Sequence, residues 1–332
     1  MRTRDTEYLY ATTRIRSLER TLLNEERKGR MLEAQSFEDL VKMLSELGYG
    51  DMQNATPHDV ERALAREREA TFRLLSDLAP NGALVDAFRI RYDYHNIKAI
   101  LKGDAAGTDP KPLLIDAGRY SAQAVSTALQ QMEYRMFSPV FRRAIEQTKE
   151  TLSRTGDPQR ADFILDQAYF EELQDLAAQS ESKFLQGYVT RMIDLANLRA
   201  LVRAWRQKKD AEFLRTALVS GGSVDSSWFL QAIGGDTAIS ELFSGTALEE
   251  AAEEGARAAS GETGLTRFET LCDNALIEYL RSARFVAFGD APLVAYLAAK
   301  EADITALRIL MAGKLQELPA EEIQERLRAS YV

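Results

Sequence analysis

The 332 residues include one cysteine, two histidines, two tryptophans and eight prolines, and each shortage excludes something. A lone Cys272 cannot close an intramolecular disulfide. It suits a reducing compartment and reads as a small buried apolar side chain. Two histidines, His58 and His95, are too few for a histidine-built metal centre. No H-E-x-x-H, paired C-x-x-C or other metal-ligand spacing is present. Gly313-Lys314 lacks both the upstream glycine and the following hydroxyl of a phosphate-binding loop, which argues against direct nucleotide binding. No run approaches the ~20 apolar residues of a membrane-spanning helix. The longest apolar passages, such as Pro292 to Ala299, are short. The opening Met1-Arg2-Thr3-Arg4-Asp5 leads into no apolar segment, so no secretory signal is expected. Positive charge is also short: the net charge is −9. That balance disfavours nucleic acid as a partner.

What remains is ordinary for a folded soluble protein. Hydrophobic residues make up 45% and charged residues 28%, enough for a sizeable core and two or three domains. The few prolines fall mostly at element starts. Thr56-Pro57-His58-Asp59, Ser36-Phe37-Glu38-Asp39 and Asp157-Pro158 each read as a cap followed by a helix, and Leu318-Pro319-Ala320 opens a last helix expected to reach Tyr331. Periodicity of 3.6 is common and strict alternation rare, so the chain is expected to be all-α. Near the start, Tyr8, Ala11, Ile15, Leu18 and Leu22 form one helical stripe flanked by Arg14, Arg16 and Arg20. The Ala-, Glu- and Gly-rich passage from Ser244 to Gly264 reads as a weak, exposed helix.

One word occurs three times. It runs Asp93-Tyr94-His95-Asn96-Ile97-Lys98-Ala99-Ile100-Leu101, then Asp194-Leu195-Ala196-Asn197-Leu198-Arg199-Ala200-Leu201-Val202, then Asp303-Ile304-Thr305-Ala306-Leu307-Arg308-Ile309-Leu310-Met311. The spacings are 194 − 93 = 101 and 303 − 194 = 109 residues. That is too long for a solenoid repeat of about 20–50 residues and long enough for a small domain. Three helical repeats are therefore expected, at 1–110, 111–218 and 219–332, with breaks near Gly103–Pro112 and Ser220–Ser223.

With Asp93 at zero on a helix turning 100° per residue, Ile97, Leu101, Tyr94 and Ile100 fall at roughly 40°, 80°, 100° and −20°. Asp93 lies inside this apolar arc and Asn96 at its edge. An acid there needs a partner, because a lone buried carboxylate is costly. The expected local solution is the start of its own helix, where N–H groups are free. Asp93 and His95 cannot form a dyad, since i and i+2 point apart on a helix. A catalytic acid is needed once, whereas a packing device is needed in every repeat. Asp93, Asn96, Asp194, Asn197 and Asp303 therefore read as structural, and no catalytic, cofactor or metal site is expected. The bordering cations Lys98, Arg199 and Arg308, with Arg14, Arg16 and Arg203, are the candidate partner contacts.

These residues carry a resemblance. Tyr8-Leu9-Tyr10-Ala11 through Arg16, Asp93 to Lys102, Phe184 to Arg203, and the tail from Phe288-Gly289-Asp290-Ala291-Pro292 through Lys300-Glu301 and Leu307-Arg308 to Tyr331-Val332 resemble the C subunits of V-type (A-type) ATPases, relatives of the eukaryotic V-ATPase d subunit. The departures are Ala306, in place of the Asn of the first two copies, and Asp303, where the family carries Glu. The resemblance implies three pseudo-equivalent helical domains arranged as a funnel on the cytoplasmic face of the membrane proteolipid ring. It implies a hollow that receives a central shaft made of the D and F subunits, and a rotor role in ATP-linked H+ or Na+ transport without chemistry of its own. A general helical scaffold is the alternative reading of the repeats.

Overall fold

The computed structural model describes residues 5–52 and 54–332, and every regular element among them is helical. The chain is all-α, as its periodicity predicts.

Two compact units emerge from the packing. One joins the segment ending at Asn81 to Gly245–Val332, and the other is Gly82–Ser244. This grouping follows different boundaries from the sequence repeats at 1–110, 111–218 and 219–332, because the first and last parts of the chain belong to one unit.

The first part of the divided unit holds α1 (Leu9–Leu18), α2 (Glu25–Glu33), α3 (Phe37–Glu46) and α4 (Pro57–Leu78). Their starts follow the chemistry of the sequence. Asn24, Ser36 and Thr56 each accept a hydrogen bond from the backbone N–H three residues on. Thr56 and Asp59 complete a reciprocal capping box, with Pro57 opening the helix. Such caps contribute about 1 kcal/mol each. The predicted stripe of α1 is buried at Tyr8, Ala11, Ile15 and Leu22 and half-buried at Leu18.

The continuous unit holds α5 (Ala83–Ala106), α6 (Ala122–Gln131), α7 (Pro139–Thr155), α8 (Pro158–Gln179), α9 (Lys183–Arg206), α10 (Ala211–Ala217) and α11 (Ser226–Gly234). Helices α7 and α8 pack together, and α8 also lies on α5. Aromatic rings fill that seam: Tyr94 of α5 meets Phe141 of α7 at 4.8 Å and Tyr169 of α8 at 5.7 Å between centroids.

The rest of the divided unit holds α12 (Glu249–Ser260), α13 (Leu265–Arg281), α14 (Ala291–Leu315) and α15 (Ala320–Gln324). Ala291 through Lys300 are buried without a break, as befits a helix apolar on nearly all sides. Its later turns place Ile304, Leu307, Leu310 and Met311 in one core with Leu40, Val41 and Leu44 of α3 and Val60, Ala63 and Leu64 of α4. Cys272 is buried in α13, as its type suggests.

Two expectations are corrected. The passage from Ser244 to Gly264 is not a weak exposed helix. Its α12 packs on α13 and buries Ala251, Ala252, Ala258 and Ala259, because small side chains let two helices approach closely. The last helix stops at Gln324 instead of reaching Tyr331. Side chains hold the tail beyond it. Arg281 donates to the Ser330 carbonyl at 2.9 Å, and Asn274 accepts the Ala329 N–H at 2.8 Å. Those tertiary bonds satisfy the backbone that a helix would otherwise satisfy.

Candidate functional site

The three repeated words lie midway along α5, α9 and α14, so Asp93, Asp194 and Asp303 are far from the starts of their own helices. The helix-start expectation is therefore corrected. All three are buried, and each finds backbone N–H groups on a different segment. Asp93 Oδ1 accepts from the Tyr120 N–H at 3.3 Å. Asp194 Oδ1 accepts from Ser223 N–H at 2.7 Å and Val224 N–H at 3.5 Å. Asp303 Oδ2 accepts from Leu23 N–H at 3.0 Å.

Those donors are equivalent. Tyr120, Val224 and Leu23 each stand immediately before the N-cap of a helix: Ser121 caps α6, Asp225 caps α11 and Asn24 caps α2. Each word thus uses its acid to hold the entry of another helix in place. In the first two words that helix follows in sequence. In the third it is α2, from the beginning of the chain, so the last word is completed by the first segment.

The asparagines make a second clasp. Asn96 and the backbone of Ile115 exchange two hydrogen bonds of 2.8 Å, and Asn197 does the same with Val219 at 2.8 Å. In both, the clasped residue precedes the acid-held residue by the same interval, 120 − 115 = 5 and 224 − 219 = 5. Counting back five from Leu23 gives Leu18. That residue ends α1, so its backbone belongs to a helix rather than an extended strand-like segment. Ala306 itself lies in an apolar core with Leu23, Met31 and Leu32, where an amide would find no such backbone edge.

Glycine completes the fit. A Cβ at Gly118 would collide with Asp93 Oδ1, and one at Gly222 with Asp194 Oδ1. Both glycines lie two residues before the acid-held position. The third joint carries Thr21 at the equivalent position, and there Asp303 accepts the Leu23 N–H.

The electrostatics differ between joints. Burial pushes the Asp93 carboxyl up to about 6, against the pull of Arg119, whose Nε donates to Asp93 Oδ2 at 2.7 Å. Arg119 also donates to Glu172 of α8 at 2.9 Å, and Glu172 accepts from the Tyr94 hydroxyl at 3.0 Å. Burial works to lower the Arg119 pKa, but Glu172 and Asp93 hold it above its ordinary value. At Asp194 burial again raises the carboxyl, while Ser223 donates through both N–H and hydroxyl. Burial pushes Asp303 up to about 7, with Leu23 N–H, Lys300 and Lys28 opposing.

The remaining candidates divide. Lys98 pairs with Asp166 of α8 at 2.6 Å, and Arg308 makes a two-pronged pair with Glu61 of α4 at 2.8–3.1 Å. In both, the word's cation meets an acid on a long neighbouring helix. Arg16 is engaged too, with Glu19 at 2.8 Å and with the Ala283 and Val286 carbonyls at 2.6 and 2.8 Å. Arg14 and Arg203 are exposed, and Arg199 is half-buried. His58 and His95 are exposed, and the His95 ring lies 2.8 Å from the Leu113 carbonyl oxygen. Among the described residues no group of three His, Cys, Asp or Glu side chains is placed to hold a metal ion. No described helix is long and apolar enough to cross a membrane. Chemically, the joints spend their carboxylates and amides on backbone donors and acceptors, with Arg119 and the Ser223 hydroxyl engaging the second oxygens of Asp93 and Asp194.

Sequence reasoning missed Arg119, Glu172, Gly118, Gly222 and Leu23. A usable signal was present in Gly118-Arg119-Tyr120-Ser121 and Gly222-Ser223-Val224-Asp225, where a glycine stands three residues before a capping residue, downstream of each word.

The architecture agrees with comparison to known proteins. Residues 11–326 match the model of the ATP synthase (C/AC39) subunit family. The chain is 27% identical to the C subunit of the V-type sodium ATPase of Enterococcus hirae, over 98% of this chain and 99% of that protein. It is 22% identical to the C subunit of the A-type ATP synthase of Methanocaldococcus jannaschii, over 96% of this chain and 86% of that one. For the C subunit of the V-type ATP synthase of Deinococcus radiodurans the identity is 23%, over 97% and 92% of the two chains. With its all-α fold and a match spanning nearly its whole length, the chain belongs to the ATP synthase (C/AC39) subunit family and is a subunit of a V/A-type rotary ATPase.

Proposed function

We propose that the chain is the non-catalytic central-stalk subunit of that complex. It acts as a socket that couples a rotor shaft, made of the D and F subunits, to the membrane proteolipid ring, for ATP-linked transport of H+ or Na+. It works on the cytoplasmic face, peripheral to the membrane, as three pseudo-equivalent modules set as a funnel. The sequence repeats at 1–110, 111–218 and 219–332 count the modules, and the third borrows its joint from the start of the chain.

The observation that carries this reading is the joint repeated at Asp93, Asp194 and Asp303. Each buried acid is spent on holding the entry of another helix. A coupler transmits torque, so it needs stiff modules. Buried acids tied to backbone N–H groups lock segments that would otherwise slide, since breaking such a bond strands a buried charge.

The test is binding. The full-length chain is mixed separately with a purified D–F shaft and with membranes holding the proteolipid ring. Capture by both supports the socket. Capture by neither overturns the socket reading. Arg308 needs care as a shaft contact, because reversing it alone also breaks its pair with Glu61. The informative variant exchanges both, Glu61→Arg with Arg308→Glu, which keeps the internal pair and inverts the local surface. Shaft capture unchanged in that variant at moderate salt removes Arg308 from the contact.

A further inference from the structure

The connections leading into two of the repeated helices are short: residues 79–82 before α5 and 180–182 before α9. The connection into α14 is longer, residues 282–290, and contains a tight turn at Ser282–Phe285. Its tip reads Arg284-Phe285-Val286-Ala287-Phe288. Phe285 is 91% exposed, Phe288 54% and Val286 36%. Among the described residues the two shorter connections expose no large hydrophobic side chain.

The tip is held, not slack. Arg16 of α1 donates to the Ala283 and Val286 carbonyls at 2.6 and 2.8 Å, bracketing Arg284 and Phe285. Glu19 holds that guanidinium at 2.8 Å, and the Thr12 hydroxyl donates to the Gly289 carbonyl at 3.3 Å. Two phenylalanines fixed in water by a dedicated clamp form an exposed apolar feature with a use. Within the exposed tip from Arg284 to Phe288 the one charged residue is Arg284, and Asp290 follows at the foot of α14, in a protein of net charge −9. The helix that supplies the clamp also leaves Tyr10 75% exposed and Arg14 exposed.

We propose that this tip inserts into the headgroup–acyl boundary of an anionic lipid bilayer, with Phe285 and Phe288 entering the boundary and Arg284 meeting lipid phosphate. The proposal deepens the reading above, on which the chain works beside a membrane. Aromatic rings next to a cation are the composition that seats at that interface. Area favours lipid over a protein partner. At their exposure the three apolar side chains offer roughly 300–400 Å², short of the roughly 450 Å² of apolar surface within the ~800 Å² that each partner of a stable protein pair buries. A fixed loop loses little freedom on insertion, so a small apolar area suffices for a weak anchor.

The experiment is flotation of the purified full-length chain with protein-free vesicles, of phosphatidylcholine alone or with phosphatidylglycerol added. The chain is expected to float with the anionic vesicles. Phe285→Ser with Phe288→Ser lowers that partition by roughly tenfold or more, and Arg284→Glu lowers it on anionic vesicles while leaving neutral ones unchanged. Both variants alter exposed positions, and an unchanged circular dichroism spectrum confirms the fold. A wild-type chain that stays in solution, or a double-serine variant that floats equally well, overturns the proposal. Capture on proteolipid-containing membranes is measured in parallel. If the serine variant loses that capture while the wild type ignores pure lipid, the tip is a protein contact and the lipid proposal falls, with the socket reading intact. If pure vesicles bind the wild type and the proteolipid ring adds nothing, the socket reading fails and the lipid proposal stands.

Discussion

Gly222 packs directly against Asp194: the acid accepts the N–H of the next residue, Ser223, at 2.7 Å, and a Cβ on Gly222 would overlap its Oδ1. Gly118 repeats the relationship with Asp93. Gly118→Ala and Gly222→Ala should therefore each destabilise the protein, by about 1–3 kcal/mol, as a methyl forces a buried carboxylate off its donors. Gly29 supplies the control. It sits inside α2 with nothing within 4 Å of a Cβ, so Gly29→Ala should be neutral or gain about 0.5–1 kcal/mol from helix propensity. Urea midpoints of the three variants check the contrast. Equal midpoints for Gly118→Ala, Gly222→Ala and Gly29→Ala would refute the close-packing account.

The asparagine clasp gives an asymmetric expectation. Asn96→Ala leaves the N–H and C=O of Ile115 without their side-chain partner, and Asn197→Ala does the same to Val219. Each should lose about 2–3 kcal/mol. The reverse change in the third word, Ala306→Asn, gains nothing, because Ala306 is buried in an apolar core with Leu23, Met31 and Leu40. It buries an amide without a clasp and should cost about 1–3 kcal/mol. Thermal or denaturant unfolding of the three variants distinguishes this from a scheme in which Asn is favourable in every word. A stabilising Ala306→Asn is the outcome that sinks it.

The sequence was informative wherever a local rule decided the structure. Ser36, Thr56 and Asp157 cap helices as their type and spacing predict, and the 3.6 periodicity announces α1, α5, α9 and α14. The repeated word located three equivalent helices because its pattern is local too. What those helices hold was not legible, since Tyr120, Val224 and Leu23 are reached across loops or across the length of the chain. The burial of α12 depends on the surface α13 offers, not on its own Ala- and Glu-rich composition. The tail past Gln324 reads as helix because its periodicity competes with bonds from Arg281, Asn274 and Glu25 that only the fold assembles.

Arg308 and Glu61 should be coupled, and weakly. Their side chains are 38% and 44% exposed, so solvent screens the pair despite its two-pronged geometry. A double-mutant cycle with Glu61→Ala and Arg308→Ala should return a coupling of about 0.5–1 kcal/mol that shrinks as salt is added. Arg68 and Glu301, which join the same two helices, are 4% and 12% exposed. Removing Glu301 alone should cost more, about 3 kcal/mol, because it takes a carboxylate away from a buried guanidinium. Stability measured in low and high salt separates the two cases. A salt-independent Arg308–Glu61 coupling would contradict the screening argument.

Asp303 should give the protein a pH-dependent stability of unusual sign for a carboxylate. Burial raises its folded pKa to about 7, whereas an unfolded aspartate titrates near about 4. Between those values the unfolded chain releases a proton that the folded chain keeps. Stability is then highest at about pH 4, falls as pH rises through about 7, and levels off above that. Other acids add their own slopes, so the quantity to follow is the difference between wild type and Asp303→Asn. The asparagine still accepts the Leu23 N–H through Oδ1 but cannot ionise. The cations facing Asp303 keep other partners: Lys300 pairs with Glu67 at 2.7 Å, and Lys28 with Glu25 at 3.2 Å. Neutralising Asp303 therefore leaves neither lysine stranded. The variant should match the wild type near about pH 4 and exceed it by about 3–4 kcal/mol at about pH 8, where the wild type must ionise a buried group. Chemical denaturation at both pH values supplies the comparison. A difference that stays flat with pH, or a variant weaker at the alkaline end, would show that the Asp303 charge is compensated where it sits.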